Sequence, residues 1–270
     1  GYQVIRTGTG DIEIRTAGDV QLLNQFATVY TAGVRLAVPT TVVAANDFDL
    51  PVLRIDGSQG ELGEIQQSPF PSVQYALGGG NVRIEAGGSI LHLTQNSANQ
   101  LVPDSQRQMP GNWLYRRGYV DPVSGGFGVT KWGDVGSTTW WVDYTNFFQG
   151  IGALGGGNVT LIAGGDVANV DAVVPTNARM PKGLPDASAL LELGGGDLVI
   201  RAGRSVDGGV YYVERGSGHI RAGESIRTNG TRSPSLTFQN RVESEETWLP
   251  TTLFVGKAKV SVRAGGDVLM

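Results

Sequence analysis

Cysteine is absent from the 270 residues, which excludes disulfide staples, thiolate metal sites and a cysteine nucleophile. Histidine is nearly absent as well. Only His92 and His219 occur, each in or beside a short β-type segment, which suits an ordinary sheet histidine better than a general base. No apolar run approaches the ~18 residues of a membrane span, and no signal peptide opens the chain. A strong excess of either charge is also missing: the formal net charge is −4, which argues against nucleic acid or an anionic membrane as the general partner. No Gly-x-Ser-x-Gly elbow, phosphate-binding Walker loop or His-Glu-x-x-His helix is present. Absence of cysteine is compatible with a bacterial protein that must stay unfolded during export.

What the chain has in abundance is glycine, 41 residues, roughly twice the usual share of about 7% but without the every-third-residue register of collagen. An apolar content of 40% is enough for a large core and rules out general disorder. The glycines belong to a repeat whose clearest copy is Gly155-Gly-Gly-Asn158-Val-Thr-Leu-Ile-Ala-Gly-Gly-Asp166-Val167. Other copies end at Val20, Ile90, Val206, Ile226 and Val268. Between successive anchors lie 70, 77, 39, 20 and 42 residues, which read as one, two or about four multiples of a period near 20, the mark of a solenoid.

Within each copy apolar residues alternate: Val82/Ile84, Val159/Leu161, Leu198/Ile200, Val260/Val262. That is the two-residue period of a strand with one side chain in and the next out. Flanking glycines are expected to supply the positive-φ positions of sharp corners. Stacking such units about 4.8 Å apart pairs each strand with its equivalents and predicts an all-β fold, a right-handed parallel β-helix of ~20-residue coils with long loop insertions. Residues 1–36, 78–93 and 151–270 are assigned to coils, the last with loops at 175–185 and 229–250. Residues 37–77 form an insertion interrupted by Pro39, Pro51, Pro69 and Pro71, with Val52–Ile55 a candidate strand. Residues 94–150 form a second insertion holding four of the five tryptophans, with a short helix expected from Asp143 towards Gln149. The chain starts at Gly1 and stops at Met270 just beyond a repeat, and both ends read as cuts through a longer solenoid.

The repeat resembles that of filamentous haemagglutinin-like exoproteins, the large passengers of bacterial two-partner secretion. The stretches Gly1–Gly33, Gly111–Arg116, Thr139–Val142, Asn177–Pro181, Gly209–Arg215 and Thr247–Phe254 are similar to segments of such chains, so the resemblance spans essentially the whole sequence. It implies a β-helical shaft, export through an outer-membrane pore, display at the bacterial cell surface as an adhesin or filament, self-association, and a host or neighbouring-cell glycan or protein as partner. The family's amino-terminal secretion domain is not visible in these residues, and no catalytic motif carries over.

Four sets of residues are candidates for chemistry. Asp19, Asp166 and Asp267 share one repeat position and Asp11, Asn81, Asn158 and Asp197 another, so stacking would align them. Their simplest role is at turns, which favour Asp and Asn, because several equivalent rungs carry Ser and offer no charge to a calcium ladder. Trp140, Trp141 and Tyr144 are candidates for a platform that stacks sugar rings or a partner surface, against a plainer role as a small core holding the insertion on the shaft. Asp121, Asp134 and Asp143 are the carboxylates a polysaccharide lyase or glycosidase would place in a side groove. The residues assign no catalytic group, metal or cofactor, and the reading is a structural shaft, with a polysaccharide-binding or polysaccharide-degrading protein and the stalk of a contact-dependent toxin as alternatives.

Overall fold

The computed structural model describes residues 3–24, 26–35, 75–103, 110–120, 127–128, 137–142, 147–179, 191–228 and 251–269. Among them the regular structure is all β-strand apart from one four-residue helix at Pro110–Trp113. Three six-membered parallel stacks dominate. The first sheet runs in the order Gln3–Thr7, Ala27–Thr31, Ile151–Ala153, Ala172–Val174, Val210–Val213, Thr252–Val255. The second runs Ile12–Thr16, Val82–Ala86, Val159–Ala163, Leu198–Ala202, Ser217–Ala222, Lys259–Ala264. The third links Val20–Leu22, Ile90–Gln95, Val167–Ala168, Val206–Asp207 and Ile226–Arg227, with Val268 bridged to Ile226 at its end. The chain visits the three sheets in rotation, one strand each, an arrangement compatible with a parallel β-helix.

Register follows the repeat. Val20 pairs with Ile90, Ile90 with Val167, Val167 with Val206, and Val206 with Ile226. Neighbouring rungs are therefore 70, 77, 39, 20 and 42 residues apart, and each interval is a single step of the stack. The longer intervals are not two or four periods. They are one step each, with the additional chain leaving and rejoining between two sheets.

The inward positions expected from the alternation are buried: Val82, Ile84, Val159, Leu161 and Ile200 are fully enclosed and Leu198 nearly so. They form columns with Ile12, Ile90, Val167, Val206, Ile220 and Ile226 in one continuous core, where Val262 is partly buried at the last rung. Burying each such side chain contributes about 1.5–3 kcal/mol.

The corners have two physical explanations where the sequence offered one. Before the second sheet, Gly157 and Gly216 take φ of 98° and 123°, as turn glycines do, and a Cβ there would also lie 2.3 and 2.2 Å from a carbonyl oxygen of the preceding rung. After it, Gly87, Gly164, Gly203, Gly223 and Gly265 form a second column in which positive φ plays no part. A Cβ at Gly164 would lie 2.2 Å from the Gly87 carbonyl oxygen, and one at Gly203 would lie 2.1 Å from that of Gly164. Here glycine is required because successive backbones touch.

The aligned Asp, Asn and Ser side chains hold each rung to the next. Asn81 N–H donates to Asp11 Oδ1 (2.7 Å), Asn158 N–H to Asn81 Oδ1 (2.9 Å), Asp197 N–H to Asn158 Oδ1 (2.8 Å) and Ser217 N–H to Asp197 Oδ1 (2.8 Å). A parallel series runs from Ser89 N–H to Asp19 (2.7 Å), Asp166 N–H to Ser89 Oγ (3.0 Å) and Ser205 N–H to Asp166 (2.9 Å). Any side-chain oxygen serves, which is why Ser, Asn and Asp interchange.

Candidate functional site

The aromatic insertion folds against the outer face of the first sheet. Trp113, Leu114, Val142 and Phe147 are buried together with Tyr30, Leu154, Val173 and Tyr212 in a second core outside the shaft. Rings meet edge to face: Trp113 with Phe147 at 5.1 Å between centroids, Tyr30 with Phe147 at 5.4 Å, and Trp113 with Tyr212 at 6.3 Å. Such pairs add about 0.5–1.5 kcal/mol beyond area burial. Trp113 Nε1–H donates to Gln149 Oε1 inside this core. The described part of the expected Asp143 helix, residues 147–150, is irregular.

Above this core lies a five-stranded antiparallel sheet ordered Phe127–Gly128, Leu114–Val120, Ser137–Val142, Thr176–Arg179, Leu191–Gly194. It joins two insertions that are remote in sequence, and residues 176–179, expected within a loop, are one of its strands. Val142 N–H donates to Asn177 Oδ1 (2.9 Å) at the seam. Trp140 pairs with Arg116 and Ala178, and Trp141 with Tyr115. Tyr144, Asp121, Asp134 and Asp143 lie outside the described residues, as do Val52–Ile55 and the loop 229–250. The structure therefore brings Trp140 and Trp141 into one strand of this sheet.

Two carboxylates missed in the sequence sit where this sheet meets the shaft. Lys257 Nζ donates to Glu192 Oε2 (2.6 Å) and Thr176 Oγ1 to Glu192 Oε1 (2.8 Å), while Arg215 donates to the Gly194 carbonyl (2.6 Å). Burial by itself would raise the Glu192 carboxyl. The hydrogen bonds from Lys257 and Thr176 and the charges of Lys257 and Arg215 outweigh it and hold the group below its ordinary value of 4.5. Glu214, buried nearby in the chain, accepts from the Tyr212 hydroxyl (2.6 Å). A carboxylate kept ionised by a lysine is suited to clamping; a glycosidase acid needs its pKa raised. Nothing in the sequence links residues 192 and 257, which are 65 positions apart.

No family model, curated protein or solved structure matches this chain.

Of the two histidines, His92 is buried with Nε2 2.8 Å from the Asn24 carbonyl oxygen. His219 is exposed on the second sheet, its Nδ1 2.8 Å from Ser261 Oγ. One side-chain oxygen of each of Asp11, Asn81, Asn158, Asp197, Asp19, Ser89, Asp166 and Ser225 accepts a backbone N–H of the next rung.

Proposed function

We propose that this chain is a length of right-handed β-helical shaft, with coils of about 20 residues at their shortest, from a secreted bacterial surface protein of the filamentous haemagglutinin type. Its work is mechanical: it holds adhesive or effector regions away from the cell. The observation that carries this reading is the unbroken in-register stacking of six repeat copies. Apolar columns, corner glycines and side-chain caps all act along one axis, so the stack can be extended by repetition. Six rungs at about 4.8 Å per step make a segment about 30 Å long, and the insertions dress its side without interrupting its ladders.

Export through an outer-membrane pore and presentation outside the cell follow from the same reading. Antibody against residues 78–93, applied to intact producing cells with and without the gene for the pore, tests it. Labelling of intact cells that depends on the pore is the expected result. Protein confined to the cytoplasm in both strains would sink the proposal.

A further inference from the structure

The outer face of the second sheet treats charge differently at its two ends. In the first two rungs Glu13 faces Arg83 and Arg15 faces Glu85. These charges close on one another: Arg15 pairs with Glu13 (2.5 Å) and with Glu85 (3.3 Å), and Arg83 with Glu85. In the column containing Arg15, Glu85 and Ile162, the next three rungs carry Arg201, Arg221 and Arg263, with Arg201 paired to Arg221 and Arg221 to Arg263 in direct register. All three are exposed. None has a hydrogen-bond or ion-pair partner among the described residues. Glu224, the next acid along the chain from Arg221, sits at the corner and is engaged by the Ser205 hydroxyl at 3.4 Å.

Like charges directly opposite on a sheet destabilise it. Three arginines at successive rungs, in a protein of net charge −4, are thus a local concentration of one sign that the fold itself does not neutralise. The sheet fixes their spacing at about 4.8 Å along the axis. Each guanidinium presents a planar fork matched to a carboxylate.

We propose that Arg201, Arg221 and Arg263 form a binding strip for a linear acidic polysaccharide laid along the stack, one uronate carboxylate per rung. A sugar ring in an extended chain is close to one rung in length, and because successive carboxylates turn about the chain axis, the long, exposed arginine side chains must swing to meet them. The strip leads into an open depression of about 480 Å³ lined by Arg15, Glu85, Gly87 and Ile162, which offers room for the chain to continue. Single-stranded nucleic acid fits less well. The outward residues of this sheet, among them Thr160, Val199, His219 and Ser261, include no Trp, Tyr or Phe on which bases would stack. The strip does not depend on the shaft reading.

The test uses the 270-residue chain and immobilised polygalacturonate, with neutral dextran, dextran sulfate and oligo(dT) as comparison polymers. Polygalacturonate is expected to bind and dextran not to. The plot of log affinity against log salt should have a slope of about −2, as for three released counterions on a single-stranded polyanion. The triple variant R201Q/R221Q/R263Q should bind about tenfold or more weakly, with R221Q intermediate and R221K closer to the parent. R83Q, on the self-neutralised end, should bind as the parent does. Because the three side chains are exposed and unpartnered, thermal unfolding of the variants should be unchanged or slightly improved. Failure to bind polygalacturonate, equal binding by the triple variant, or tighter binding to dextran sulfate or oligo(dT) would each overturn the assignment.

Discussion

The first and second sheets are built from the same rungs, yet the middle rungs of the first are covered on their outer face and those of the second are partly open. In the second sheet burial alternates, with Val82, Ile84 and Ala86 enclosed and Arg83 and Glu85 partly open. In the first sheet it does not: Ala27–Thr31, Ile151–Ala153, Ala172–Val174 and Val210–Val213 are buried at every position. A sheet with water on one side writes a two-residue period into its sequence. One packed on both sides reads as a continuous apolar run. The difference between Val-Arg-Ile-Glu-Ala and Val-Tyr-Tyr-Val is the chemical record of the cover.

Removing the cover is the most forceful way to break this contrast. Trp113→Ala deletes the largest fully buried side chain, which touches both Phe147 and Tyr212. It should cost about 3–5 kcal/mol of docking stability. Amide hydrogen exchange should then show lost protection in Leu114–Val120, in Ser137–Val142 and at the outer face of the first sheet, with the second sheet unchanged. Equal loss in both sheets would mean that the insertion supports the whole shaft.

The second sheet depends on its corners, because among the described residues no other sheet packs on its outer face. Gly164→Ala places a methyl group against the Gly87 carbonyl and should destabilise by about 2–3 kcal/mol, read from the denaturant midpoint. Asn158→Ala removes the acceptor for Asp197 N–H and should cost about 1 kcal/mol. If the glycine variant proved neutral, close backbone contact would not be what fixes this residue.

The same contrast explains what could be read from the chain before its structure. The six anchors and the inward pairs of the second sheet were legible because each recurs at a fixed place and alternates. The strands of the first sheet were not, since a doubly buried run such as Ala172–Val174 carries no period. The length of an interval also misled: 77 residues and 20 residues both span one rung, because an excursion leaves no mark on the register it returns to. The reason for the second glycine column lay in the neighbouring rung and so outside any local pattern. Within the insertions, the packing of Trp113 against Phe147 and the pairing of Ser137–Val142 with Thr176–Arg179, and of that strand with Leu191–Gly194, left no mark in a local pattern. Nor did the Lys257–Glu192 clamp.

That clamp gives the smallest effect and the sharpest one, because it links the covering sheet to the shaft through a single titrating group. The folded-state pKa of Glu192 is depressed, so its contribution is present above the ordinary carboxylate value. It declines as the pH falls below about 4.5 and is lost once the folded-state value is passed. Lys257 is more than half exposed, and solvent limits the pair to about 0.5–1 kcal/mol. As the pH is lowered from 7 through the depressed folded-state value, the parent should lose that increment in docking of the 191–194 strand, measured by hydrogen exchange at Leu191–Gly194. Glu192→Gln should begin at the lower stability and lack this part of the pH dependence. Lys257→Met should remove most of the same increment, since burial would then raise the carboxyl with only Thr176 and Arg215 to oppose it. If both variants retained the parent's full pH response, the acid sensitivity of the covering sheet would have to reside in another carboxylate, and Glu192 would be an incidental contact of that sheet.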